Sequence, residues 1–188
     1  MASVRNFKVL PNWVRTVVIG RRPKWTIIRI AILIVIVILL RLFVFAPVRI
    51  DGISMEPNFH NNSVNLIYTL AYAWSKPERG DVVGVRWVGS KVLLLKRIVA
   101  LPGETIEFSR GHILINGRVL SEPYIRKTCT WGKSAIDPPR TLGPDEYYIV
   151  GDNREMPPEN HTKGAYTLDK LIGRAVFGGS EKPSLITE

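Results

Sequence analysis

Residues 81–101 read DVVGVRWVGSKVLLLKRIVAL, and this stretch decides the fold class. It holds two runs rich in β-branched and apolar residues, Asp81–Val88 and Lys91–Leu101. Such residues suit a pleated, half-buried surface. Lys76-Pro77-Glu78-Arg79-Gly80 precedes the first run and Pro102-Gly103 stops the second, both of them turn signals. Neither run shows a helical period. The pattern continues outward. Val64–Tyr68 is a short apolar strand, and Thr105–Phe108 and His112–Ile115 form a hairpin around Ser109-Arg110-Gly111. Asn116-Gly117 then marks a type I′ turn before Arg118–Leu120. Tyr147–Val150 and Lys170–Phe177 complete the strands, and residues 122–144 read as a loop. Many short strands divided by turns predict a mainly β, antiparallel domain of coiled or barrel-like type.

Upstream the chemistry changes. Trp25–Val48 reads WTIIRIAILIVIVILLRLFVFAPV, with an unbroken apolar run of 11 residues from Ile30 to Leu40. A bilayer core needs about 20 residues of helix. Eleven successive apolar residues leave no solvent face, so a helix on a soluble core does not fit. A cleavable secretory signal is the rival reading, with Val44-Phe45-Ala46 as cleavage positions, but Pro47 would follow the cut directly. The stretch is read as one N-terminal transmembrane helix. Arg41 reaches the outer interface beside Phe43 and Phe45.

Of the formal net charge of +10, the first 50 residues carry +9, with nine Lys or Arg and no Asp or Glu. Basic flanks stay on the cytoplasmic side of a membrane. The expected order is a basic cytoplasmic N-terminus (1–24), the anchor (25–48), an extracytoplasmic β domain (49–177) and a C-terminal tail (178–188). A nucleic-acid-binding protein would carry the excess charge on its folded part. Here residues 51–188 hold 17 basic and 16 acidic residues, so no nucleic-acid partner is expected. The single cysteine, Cys129, permits no internal disulfide and no cysteine-based zinc cluster, and three histidines leave little room for another metal site. No metal or nucleotide motif is present, and no cofactor is expected.

Three segments carry candidate chemistry. Asp51-Gly52-Ile53-Ser54-Met55-Glu56-Pro57 holds Ser54, which taken alone is a turn residue. Leu93-Leu94-Leu95-Lys96-Arg97-Ile98-Val99 puts Lys96 on one strand face with Leu94 and Ile98, the face expected to pack, and Arg97 on the other. A lysine among apolar neighbours is costly while charged. Its pKa falls, which is what a lysine general base needs. Alone, it also reads as a lysine whose head reaches solvent. Gly151-Asp152-Asn153-Arg154 is ordinary turn chemistry when taken singly.

Taken in order, Ser54-Met55-x-Pro57, Arg79-Gly80-Asp81-Val82-Val83, Lys96 through Glu104 and Gly151-Asp152-Asn153-Arg154 resemble the type I signal peptidases, also called leader peptidases. The resemblance covers residues 49–177 and fits the anchor. It implies a β-rich fold and a membrane-bound serine endopeptidase that removes signal peptides from secretory precursors after small-x-small sites. It implies a Ser/Lys dyad, with Ser54 as nucleophile and Lys96 as the base that takes its proton. The Ser54 N–H would donate to the oxyanion. Gly52 stands where one branch of the family has a serine. The match departs after Asn153: Pro157 stands where the family has a serine that bonds the lysine amine, and Pro158, Glu159, Asn160 and His161 follow. A Ser-His-Asp arrangement with His60, His112 or His161 is the minor alternative.

Substrate and membrane fit this reading. Ser54 lies six residues past Val48, so the site is expected near the membrane surface, where the apolar part of a signal peptide ends. Trp74 and Trp87 are candidates for headgroup contact. The expected partners are secretory precursors and membrane lipids, and the expected location is the cell (inner) membrane. Rival functions are a related processing peptidase of conjugation or organelle import, a self-cleaving repressor-type protease, and a membrane-tethered binding domain with weakened catalysis.

Overall fold

A segment with no polar face buries its backbone polar groups by forming a helix, and α1 spans Pro23–Phe43. Proline at a first helical position needs no N–H and has its φ preset. The structure, a computed structural model, describes residues 23–86, 93–127, 139–157, 163–178 and 182–186. Lys24–Phe43 provides 20 residues of mean hydropathy 2.8, long and apolar enough to cross a membrane. The apolar run extends through Val48, but the helix stops at Phe43 and Phe45–Arg49 is extended. Pro47 cannot continue a helix, and it pushes Ala46 before it toward extended backbone. Met1–Phe43 and Val44–Glu188 form two separate compact units.

The second unit is antiparallel β. It begins with β1 (Phe45–Arg49), β2 (Val64–Tyr68), β3 (Val82–Arg86) and β4 (Leu93–Ala100). A ribbon follows, made of β5 (Thr105–Ser109), β6 (His112–Ile115) and β7 (Arg118–Ser121). Then come β8 (Arg140–Thr141), β9 (Glu146–Val150), β10 (Gly164–Thr167), β11 (Leu171–Ala175) and β12 (Ser184–Leu185). One sheet has seven strands in the order β1-β2-β11-β3-β4-β9-β10, and the other has five in the order β12-β7-β6-β5-β8. The Asn116-Gly117 turn takes positive φ at both residues, 52° and 78°, as a type I′ hairpin requires.

Four strands lie outside the sequence expectation. β1 was absorbed into the apolar run, yet it pairs with β2 from Phe45↔Tyr68 to Arg49↔Val64. β8 lies in the stretch read as a loop and pairs with β5. β10 pairs with β9, and β12, in the stretch read as a tail, pairs with β7. Each is short or polar, and only a partner strand makes it regular.

The strand β4 is central in its sheet, flanked by β3 and β9. Only one of its faces was expected to pack, but Leu95 through Ala100 are all buried. A strand covered on both faces has no polar side to show. Val83, Val85, Ile98, Ile149 and Leu171 cluster on one side. Leu95 packs with Ile50, Met55, Phe59, Ile67 and Val82 in another cluster. Val99 and Ala100 pack with Ile106, Phe108, Ile115 and Tyr148, which joins the second sheet to the first.

Candidate active site

Lys96 sits in the middle of β4, opposite Val83. Its side chain is carried by a strand whose backbone is paired on both edges, so its root has little freedom. The residue is 2% exposed. Burial brings its amine down from 10.5 to about 8, and the Asp152 charge opposes this.

Ser54 lies in the loop between β1 and β2. Its position is set by its neighbours. Met55 is 1% exposed within the Ile50, Phe59, Ile67, Val82 and Leu95 cluster. Burying such a side chain contributes about 1.5–3 kcal/mol, which pins the loop one residue from Ser54. The loop closes on itself through Phe59 N to Met55 O (3.0 Å) and Asn62 N to Ile50 O (2.8 Å). Gly52 takes φ +107°, where a side chain would be strained, and its N–H donates to Asn61 Oδ1 at 2.9 Å. Ser54 Oγ thereby comes within 2.5 Å of Lys96 Nζ, across 42 residues of sequence. Among the described residues, the Ser54 N–H has no hydrogen-bond acceptor, so it is available to a ligand oxygen.

The Gly-Asp-Asn-Arg segment ties the two together. Asn153 N donates to Ser54 O at 3.0 Å, and Asn153 Nδ2 donates to Ile53 O at 3.1 Å. Asp152 is buried and accepts from Arg97 Nε (2.8 Å) and Nη2 (2.6 Å). It also accepts from Asn58 Nδ2 at 2.8 Å, and the same amide donates to Tyr124 O at 2.9 Å. Arg97 Nη1 donates to Gly80 O at 2.9 Å, and the guanidinium lies 4.0 Å from the Tyr124 ring centroid. A fork of this kind suits arginine, whose planar donors match a carboxylate. Arg154 makes a second buried pair, donating through Nη1 (2.9 Å) and Nη2 (2.5 Å) to Glu122. Burial pushes the Tyr124 phenol well up, with the Glu122 charge adding to it, so the phenol keeps its proton and donates to Glu122 Oε1 at 2.6 Å.

The arrangement brings together Ser54 and Lys96, which were singled out, and shows what the other motif residues do. Arg97, Asp152, Asn153 and Arg154 brace the loops around the two. No local signal marks Asn58, Tyr124 and Glu122, because their roles depend on residues 32 to 94 positions away or on burial. His60 and His112 are exposed, and Ser54 Oγ meets an amine instead of an imidazole. Pro157 is exposed, while the Lys96 amine is buried. Trp74 is 81% exposed. Trp87, Cys129, Pro158, Glu159, Asn160 and His161 lie outside the described residues.

Chemically, an amine whose proton affinity burial lowers and a hydroxyl at 2.5 Å are the two groups that a lysine base and a serine nucleophile require. Comparison with known proteins gives the family. Residues 24–178 match the family described as signal peptidase, peptidase S26. The signal peptidase I of Bacillus amyloliquefaciens is 32% identical over 155 residues, which cover 79% of this chain and 83% of that protein. The signal peptidase I S of Bacillus subtilis is 31% identical over 156 residues, covering 79% and 84%. A crystal structure of a signal peptidase I from Enterococcus faecalis aligns with TM-score 0.41 at 24% identity, covering 53% of this chain and 97% of that one.

Proposed function

The chain belongs to the S26 family of signal peptidases, and from that premise we propose that it is a membrane-tethered endopeptidase that cuts signal peptides from secretory precursors with a Ser54/Lys96 dyad. The 2.5 Å approach of Lys96 Nζ to Ser54 Oγ is the observation that carries the dyad.

The steps follow from the residues. A neutral Lys96 amine accepts the Ser54 proton as Oγ attacks the scissile carbonyl carbon. The carbonyl oxygen becomes an oxyanion, and the Ser54 N–H, which has no acceptor among the described residues, donates to it. Lys96 then gives its proton to the leaving amine, the C–N bond breaks, and the signal peptide stays on Oγ as an ester. Water, deprotonated by the same amine, hydrolyses that ester. With an amine value of about 8, roughly one tenth of the enzyme carries a neutral base at pH 7.

Cleavage after small-x-small sequences and the related processing roles in conjugation or organelle import share this dyad. The first is favoured because the relatives are signal peptidases I. The apolar helix Lys24–Phe43 supports a single-pass anchor, and nine basic residues before Asp51 support a cytoplasmic N-terminus and an extracytoplasmic 49–177 catalytic domain in the cell membrane. The test is gel cleavage of one secretory precursor with an Ala-x-Ala site by the detergent-solubilised full chain. The wild type releases the mature protein, and Ser54→Ala releases none. Equal cleavage by Ser54→Ala overturns the dyad, and an intact precursor with the wild type overturns the function.

A further inference from the structure

A cleft of about 120 Å³ is lined by Glu56, Pro57, Arg126, Lys127, Asn153 and Glu155 together with the buried Asp152 and Arg154. Glu56 and Pro57 follow Ser54 by two and three residues, and Asn153 donates to the Ser54 carbonyl. The volume has room for one substrate side chain and not for a folded ligand.

Most of the charge in the cleft is already committed. Asp152 is held by Arg97 and Asn58, and Arg154 by Glu122 and the Gly151 carbonyl. Lys127 Nζ lies 3.1 Å from Glu155 Oε1. Among the described residues, the side chains of Arg126 and Glu56 line the cleft with no hydrogen-bond or ion-pair partner. Arg126 is exposed, and its side chain sits on the segment that Tyr124 anchors to Asn58. A guanidinium held at the rim of a small cleft is a receptor for a carboxylate.

The two sides of the scissile bond differ in chemistry. The acyl side carries small residues after an apolar segment, and the leaving side carries the start of a polar mature chain. A charged lining suits only the second, and the exposed apolar Ile53, just before Ser54 in sequence, is not among the cleft's lining residues. Resting on the signal-peptidase reading, we propose that this cleft receives one of the first mature residues of the precursor, and that Arg126 makes an acidic side chain preferred there.

The experiment uses the detergent-solubilised full chain and peptides with a common signal segment ending in Ala-x-Ala. Glu, Lys or Ser is placed at each of the first four mature positions in turn. At one position the wild type is expected to cleave the Glu peptide about two- to fivefold faster than the Lys peptide in kcat/KM, the range of an exposed charge pair. The preference shrinks in high salt, because it is electrostatic. Arg126→Ala abolishes it and Arg126→Glu inverts it, each read as the ratio of Glu to Lys peptide within one enzyme so that a change in overall rate cancels, and circular dichroism reports an intact fold. The proposal is overturned if the charge preference is the same in the wild type and both variants, or if no position shows one. If the wild type leaves even the Ser peptide uncut, the signal-peptidase reading falls and this inference with it.

Discussion

Lys96→Met replaces a buried amine with a thioether on a stem of similar length, so it separates the cost of the charge from the packing. The amine sits at about 8 in the fold against 10.5 in the open chain. Keeping it charged inside therefore costs on the order of 3 kcal/mol. The sign follows from proton counting. Below pH 8 both states bind the proton and the folded form carries the whole penalty. Between pH 8 and 10.5 the folded amine is neutral while the unfolded one still binds its proton, so stability rises with pH. Above 10.5 neither is charged and the penalty is gone. Losing the contact with Ser54 costs the variant about 1 kcal/mol. At pH 7 Lys96→Met should thus be about 2 kcal/mol more stable than the wild type, and by pH 10.5 it should be slightly less stable. Urea unfolding of both full-length proteins in detergent, followed by tryptophan fluorescence at each pH unit from 7 to 11, measures the gap. Taking the difference removes other groups that titrate in this range. A gap that stays constant with pH, or a variant less stable at pH 7, refutes the idea that burial lowers the proton affinity of this amine. The same assignment predicts an acidic limb in the cleavage rate near pH 8, falling about tenfold per pH unit below it.

Two further outcomes are expected. Asp152→Asn leaves the Arg97 guanidinium uncompensated in the core and should cost about 3–5 kcal/mol in urea unfolding. Because the Asp152 charge holds the Lys96 amine up, the same variant should move the acidic limb to lower pH, and an unmoved limb would show that the two do not interact. Protease added outside spheroplasts should digest residues 51–188 and spare the N-terminus, and a protected C-terminal part would reverse the proposed orientation.

Much of this protein is written in short-range pattern. The apolar helix is legible because a run with no polar face has one stable backbone form in a membrane. β2 and the β6–β7 hairpin are legible because alternation and the Asn116-Gly117 turn are local signals. Lys96 was identifiable as an oddity because its neighbours Leu94, Leu95 and Ile98 are apolar, and Ser54 became a candidate only beside the other motifs.

What tertiary structure alone decided are the contacts made across long stretches of chain. β1 looks like the end of an apolar helix until Pro47 and the β2 edge make it a strand. Local pattern put Arg97 only on the strand face opposite Lys96, whereas β3 and β9 enclose β4 and bury it against Asp152, 55 residues away. Asn58 and Glu122 carry no local signal, since hydrogen bonds across 66 or 94 residues for Asn58 and 32 for Glu122 leave none. The 2.5 Å between Lys96 and Ser54 is of this kind as well. Residue types and their order are set by the sequence. The burial that lowers the amine to about 8, and the approach that lets it meet the hydroxyl, exist only when the central strand, the Met55-anchored loop and the Asn153 turn are packed together.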